Sequence, residues 1–129
     1  MGRLNPSVDF DDLAQCDLVI EAVFEDVNVK HEVLREVEAE LKPSAIFASN
    51  TSTIPIAQIA TASQRPERVI GMHFFNPVPV MQLVELIRGL QTSDTTYAAV
   101  EAVAKKIGKI PVKVLAYTAT GALMAGWCW

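Results

Sequence analysis

His73 and Glu85 stand twelve residues apart, each inside an apolar run, the first in Val69 to Phe75 and the second in Leu83 to Ile87. A neutral imidazole can take a proton from a substrate hydroxyl near neutral pH. A carboxylate beside it can accept the other ring N–H, fix the tautomer and stabilise the imidazolium that forms. Glu85 is the acid of the neighbouring apolar run, so it is the natural partner. Ser52, twenty-one residues before the histidine, can donate or accept a hydrogen bond at the same substrate oxygen. No other nucleophile with its own base stands out.

Each residue also has a plainer reading. A histidine in an apolar strand is more often a satisfied core residue than a base. A glutamate near a strand end is usually a solvated edge charge. Asn50 and Asn76 suit turns, Asn76 because it precedes Pro77. Lys30 and His31 read as members of a solvated helix face. By residue type and spacing alone, the His73–Glu85 pair stays open.

The elements that must position these residues alternate. Asp17 to Val23 is an apolar run of strand length, and Ala45 to Ser49 is a second. Between them Val29, Val33, Val37 and Leu41 recur every four residues among charges, which predicts an amphipathic helix over residues 27–41, stopped by Pro43-Ser44. Pro55 suits the first turn of a short helix through Ala60. Arg65-Pro66-Glu67 breaks the pattern before the strand that carries His73. Asn76-Pro77-Val78-Pro79 forbids regular structure, because proline fixes φ and removes a donor. Ser93 can cap a helix with Tyr97, Val100, Ala104 and Ile107 on its core face, closed by Gly108. Ile110 to Val114 is a fifth strand. This order predicts an α/β fold with a doubly wound, largely parallel sheet, and ligands at the strands' carboxyl ends. Glu25-Asp26, Asn50-Thr51-Ser52 and Asn76 all fall there.

Composition limits the partners. The chain has 129 residues, half of them apolar, and a net charge of −4. It is one domain at most, without the basic stripe a nucleic acid would require. No apolar run approaches the roughly 20 residues of a membrane-spanning helix. The N-terminus turns acidic where a secretory core should begin. Cys16 and Cys128 match no metal spacing and read as free thiols of a reducing compartment, so a cytoplasmic location is expected.

Four blocks resemble one family: DLVIEAVFEDVNVKHEVLREVEAEL, IFASNTSTIPI, RPERVIGMHFFNPVPVMQLVELIRG and GKIPVKV. In this order and spacing they are similar to the NAD-binding domain of L-3-hydroxyacyl-CoA dehydrogenases, both monofunctional and within multifunctional fatty-acid oxidation proteins. The resemblance implies oxidation of an L-3-hydroxyacyl-CoA to the 3-ketoacyl-CoA, with hydride passing to NAD, in fatty acid β-oxidation. It implies that His73 is the base, that Glu85 orients it, and that Ser52 lies near cofactor and substrate. It implies that Asn50 and Asn76 line the same pocket. It also turns Glu25 and Lys30 into contacts of the cofactor, or for Lys30 of the acyl-CoA.

Two departures accompany the match. The family's G-x-G-x-x-G loop and the following ribose-binding acid are absent, so residues 1–114 read as the C-terminal part of a partial Rossmann-like domain. Residues 115–129, LAYTATGALMAGWCW, replace the family's entry into a C-terminal helical domain. That uncharged tail reads as a reading-frame change or a truncated gene. The alternative function is therefore a non-catalytic remnant or an interaction module of the same fold. A sheet without its first strands should be marginally stable or self-associate, or pair with other domains of a multifunctional protein.

Overall fold

The computed structural model describes residues 4–115; the tail expected to be atypical lies, from residue 116 onward and with Cys128, outside them. Five strands form one sheet in the order β1-β2-β3-β4-β5: β1 Leu18–Glu21, β2 Ile46–Ser49, β3 Val69–Phe74, β4 Leu83–Arg88 and β5 Ile110–Leu115. β1, β2 and β3 run parallel, β4 is antiparallel to β3, and β5 is parallel to β4. The largely parallel sheet expected from the alternation is present, with one reversal. That reversal puts the carboxyl ends of β1–β3 and the amino ends of β4 and β5 on the same rim.

Three helices cover the two faces: α1 Val27–Glu40, α2 Ile56–Ala60 and α3 Asp94–Lys106. Side chains alternate across a strand, so the sheet feeds two cores. Phe47, Val69 and Ile87 pack with Leu34, Val37, Ile56 and Ile59 of α1 and α2. Ile46, Ala48, Ile70, Met72, Val84 and Leu86 pack with Val100 and Ala104 of α3. Burying a side chain of this size contributes about 1.5–3 kcal/mol, which is what pins the register of the short strands.

Local signals set the helix ends. Asp26 caps α1, its carboxylate accepting from the amides of Asn28 and Val29 at 2.8 and 3.1 Å. Ser93 caps α3, as expected, accepting from the Thr96 amide at 3.1 Å. Gly108, at φ 82°, turns the chain after α3 into β5 in a conformation that side chains disfavour. That turn carries Ile107 outward, 52% exposed, so it is not the core residue the periodicity predicted. Thr96 takes the inner position instead.

The inner face of α1 is also rotated from the expected one. Lys30 and Leu34 are buried with Val37 and Leu41 of the expected stripe, while Val29 and Val33 are only partly covered. Gly71 permits the close seat of α2 on β3. A Cβ there would lie 2.8 Å from both Ile56 Cδ1 and Ile87 Cβ.

Candidate active site

The antiparallel junction makes the histidine–carboxylate pair. His73 and Glu85 are direct cross-strand partners in the β3–β4 register. Such partners hold their Cβ atoms about 4.5–5.5 Å apart, and here Nδ1 of His73 lies 3.1 Å from Oε1 of Glu85. A carboxylate only accepts, so the bond places the ring proton on Nδ1. Both side chains are mostly buried, 10% and 12% exposed. The Phe75 ring meets the imidazole edge-on, with centroids 5.0 Å apart. Backbone register and an aromatic neighbour thus orient the imidazole from two sides.

Asn50 acts on the same strand through the backbone. Its Oδ1 accepts from the amide of Phe74 at 2.9 Å, tying the exit of β2 to the residue after His73. Asn76 is exposed, in the loop beyond β3, and its peptide bond to Pro77 is cis. The same loop is pinned by Lys109, whose ammonium donates to the carbonyls of Val78 and Met81 at 2.5 and 2.7 Å.

A second constellation joins the loops leaving β1 and β2. Glu25 accepts from the Thr51 hydroxyl at 2.6 Å, the Ser52 amide at 2.8 Å, the Ser52 hydroxyl at 2.9 Å and the Thr53 amide at 3.3 Å. Burial pushes the Glu25 carboxyl up, but the bonds from Thr51 and Ser52 and the charge of Lys30 outweigh it and hold it below the ordinary value. The group is therefore an ionised acceptor at neutral pH, with 36% of its side chain still exposed. Beside it Ala22, Val23, Phe24 and Val29 line an apolar concavity of about 590 Å³.

Lys30 is not on a solvated face. It is 1% exposed and lies beneath Glu25, its ammonium 3.7 Å from that carboxylate and 2.5 Å from Glu21. The cause is the rotated inner face of α1, which aims the first-turn lysine at the sheet, where a buried acid awaits it. His31 is half-buried as well, with Nε2 2.7 Å from the Gln58 carbonyl oxygen between α1 and α2. Glu21 and Ser49 belong to this constellation with Thr51, and neither of the two was singled out from the sequence. The available signal was an acid inside the apolar run Leu18 to Val23.

Of the residues read as site candidates, the structure joins His73 to Glu85, and Glu25 to Ser52 and Lys30. Asn50 links toward the first group, and Asn76 stands in the loop above it. Among the described residues no cluster of three metal-ligating side chains occurs, and no helix is long and apolar enough to cross a membrane.

An open sheet wound on both faces, with polar groups gathered along one rim, is the architecture of nucleotide-binding α/β domains. The chain belongs to the 3-hydroxyacyl-CoA dehydrogenase NAD-binding domain family, whose sequence profile matches residues 1–117. It is 52% identical over 112 residues to a probable 3-hydroxybutyryl-CoA dehydrogenase of Deinococcus radiodurans, a stretch covering 87% of this chain and 40% of that protein. It is 51% identical over 114 residues to the fatty acid oxidation complex subunit alpha of a Psychrobacter species, covering 88% of this chain and 16% of that one. The crystal structure of (S)-3-hydroxybutyryl-CoA dehydrogenase from Ralstonia eutropha superposes with a TM-score of 0.83 at 54% identity, over 85% of this chain and 39% of that chain. The chain thus spans two-fifths or less of the length of these relatives.

Proposed function

We propose that this chain carries the proton-transfer and nicotinamide-side residues of an NAD-dependent L-3-hydroxyacyl-CoA dehydrogenase of fatty acid β-oxidation. The observation that carries the reading is the His73–Glu85 pair, set in direct register at 3.1 Å within a chain of that family. With Nδ1 committed to Glu85, proton exchange with the substrate hydroxyl falls to Nε2. As the imidazole takes that proton, Glu85 offsets the positive charge that develops. Ser52, its hydroxyl already oriented by Glu25, helps place the substrate oxygen.

The residues present fit one part of the cofactor. An ionised, partly exposed Glu25 beside an apolar concavity suits the hydroxyls of a ribose and the face of a nicotinamide. Lys30 sets the charge beneath it, and Asn50 and Asn76 border the same rim. Bound there, NAD supplies the hydride acceptor. The pyrophosphate is a different matter, since the 129 residues contain no G-x-G-x-x-G loop to cradle it.

A second reading is that the chain is a non-catalytic remnant or interaction module of the same fold. Titration with NADH separates the two. Saturable micromolar binding supports the dehydrogenase reading, and no binding leaves the second. The substrate under the first reading is an acyl-CoA thioester, and the location cytoplasmic. Exposed apolar residues on the edge strands, among them Ile20, Ile110 and Val112, support self-association or docking with other domains of a multifunctional protein. Sedimentation of the full chain tests this; a monomer at all concentrations would count against self-association.

A further inference from the structure

We propose that Glu21 is a positioning residue: its buried carboxylate knits the exits of β1 and β2 to α1, and so holds the Glu25–Ser52 pair in the geometry that meets a dinucleotide. The inference rests on the dinucleotide reading of Glu25 and Ser52. Glu21 is 3% exposed, inside an otherwise apolar strand, and all its bonds go to the elements that bear that pair. Oε1 accepts from the Val23 amide at 2.9 Å, at the start of the loop that carries Glu25. The same oxygen receives the Lys30 ammonium at 2.5 Å, and Oε2 receives the Ser49 hydroxyl at 2.5 Å.

From these bonds the constraint passes upward along two routes. Lys30 also donates to the Val23 carbonyl at 3.2 Å and sits 3.7 Å below Glu25. Ser49 Oγ accepts from the Thr51 amide at 3.3 Å, and the Thr51 hydroxyl in turn bonds Glu25 at 2.6 Å. The backbone completes the frame, since the Asn50 amide donates to the Glu21 carbonyl at 2.9 Å. Without the buried negative charge, the Lys30 ammonium has one carboxylate within reach, that of Glu25. It would then compete there with Thr51, Ser52 and Thr53. The charge of Glu21 thus keeps Lys30 down and leaves Glu25 to the loop.

The test uses the full chain. In Glu21→Gln, amide exchange at Ser52 and Thr53 should accelerate by about ten- to a hundredfold relative to the core amide of Ile70. NADH affinity should fall by a similar factor. The paired variant Glu21→Gln with Lys30→Gln removes both buried charges. It takes away the ammonium that would compete for Glu25, so protection at Ser52 and Thr53 should recover in part. Uniform acceleration across all three amides in the single variant, or no recovery at Ser52 and Thr53 in the pair, would overturn the positioning role and leave only a buried ion pair. Should Glu21→Gln fail to fold, Ser49→Ala removes one bond to Glu21 together with the acceptor of the Thr51 amide, which is one of the two routes. It should raise exchange at Ser52 and Thr53 by about three- to tenfold, and unchanged rates there would refute the proposal. If the parent chain binds no NADH, the dinucleotide reading falls, while the exchange pattern still decides whether Glu21 positions the loops.

Discussion

The two polar constellations on the rim are built in opposite ways. His73 and Glu85 are held by strand pairing: each lies within a regular ladder, and one cross-strand contact joins them. Glu25 and Ser52 sit on loops, and a buried charge pair one layer down takes the place of the ladder. The first arrangement puts little of the fold's stability into the reactive groups, because the backbone would pair without them. The second makes stability and geometry inseparable, since the groups that shape the loops are also charges that cannot be left alone in the interior. Substitutions in the two regions should therefore fail differently.

The sharpest separation is expected at His73. Under the proposed dehydrogenase function, His73→Gln should lower turnover of a 3-ketoacyl-CoA with NADH by about 10²–10⁴-fold, the usual share of a positioned acid or base. The same change should cost no more than about 1.5 kcal/mol in unfolding free energy, the scale of one hydrogen bond. Turnover within threefold of the parent would sink the base assignment. Lys30→Met should behave the other way round. It leaves the Glu21 carboxylate buried with two of its three bonds, and should destabilise the chain by about 3 kcal/mol. A urea midpoint indistinguishable from that of the parent would show that Lys30 is less enclosed than the structure has it.

The same contrast explains what could be read in advance. Features with a local signal were legible: the apolar runs around His73 and Glu85, the Ser93 cap and the Gly108 turn. The register that faces His73 with Glu85 did not follow from spacing, because a one-residue slip would send one of them to the other side of the sheet. The family resemblance pointed to the pair, and only coordinates give its contact. The loop-borne network was read less well. Val29 and Val33 drew the inner stripe of α1 toward themselves, since a periodicity argument counts apolar residues and passes over a lysine. Leu34 lies four positions from Lys30, and Glu21 is the acid in β1; together they mark the buried line. That reading depends on knowing that Glu21 meets Lys30 nine residues on and the Ser49 hydroxyl twenty-eight residues on, which is tertiary information.

Gly71 links the two regions, because it lies between Ser49 and Ile87 in register and two residues before His73. Gly71→Ala puts a Cβ 2.8 Å from Ile56 Cδ1 and Ile87 Cβ. The Ile56 tip can rotate, but Ile87 Cβ is fixed to the strand, so the cost should be about 1–3 kcal/mol. If Gly71→Ala leaves the unfolding midpoint unchanged, the seat of α2 is looser than these contacts require.

The smallest effect isolates Glu25. Its folded pKa is depressed, so its contribution to stability is fully present above the ordinary value of 4.5 and is lost as pH falls through that value toward the lowered one. Glu25→Gln lacks this contribution at every pH. The parent should therefore be the more stable protein at neutral pH, with the gap closing below 4.5. All other carboxylates are common to both chains and largely cancel in the difference. Urea midpoints compared from neutral pH into the acid range give the result directly. A gap that stays constant would mean that Thr51 and Ser52 bond Glu25 no better when it is charged, and the loop would then be held by the layer beneath it alone.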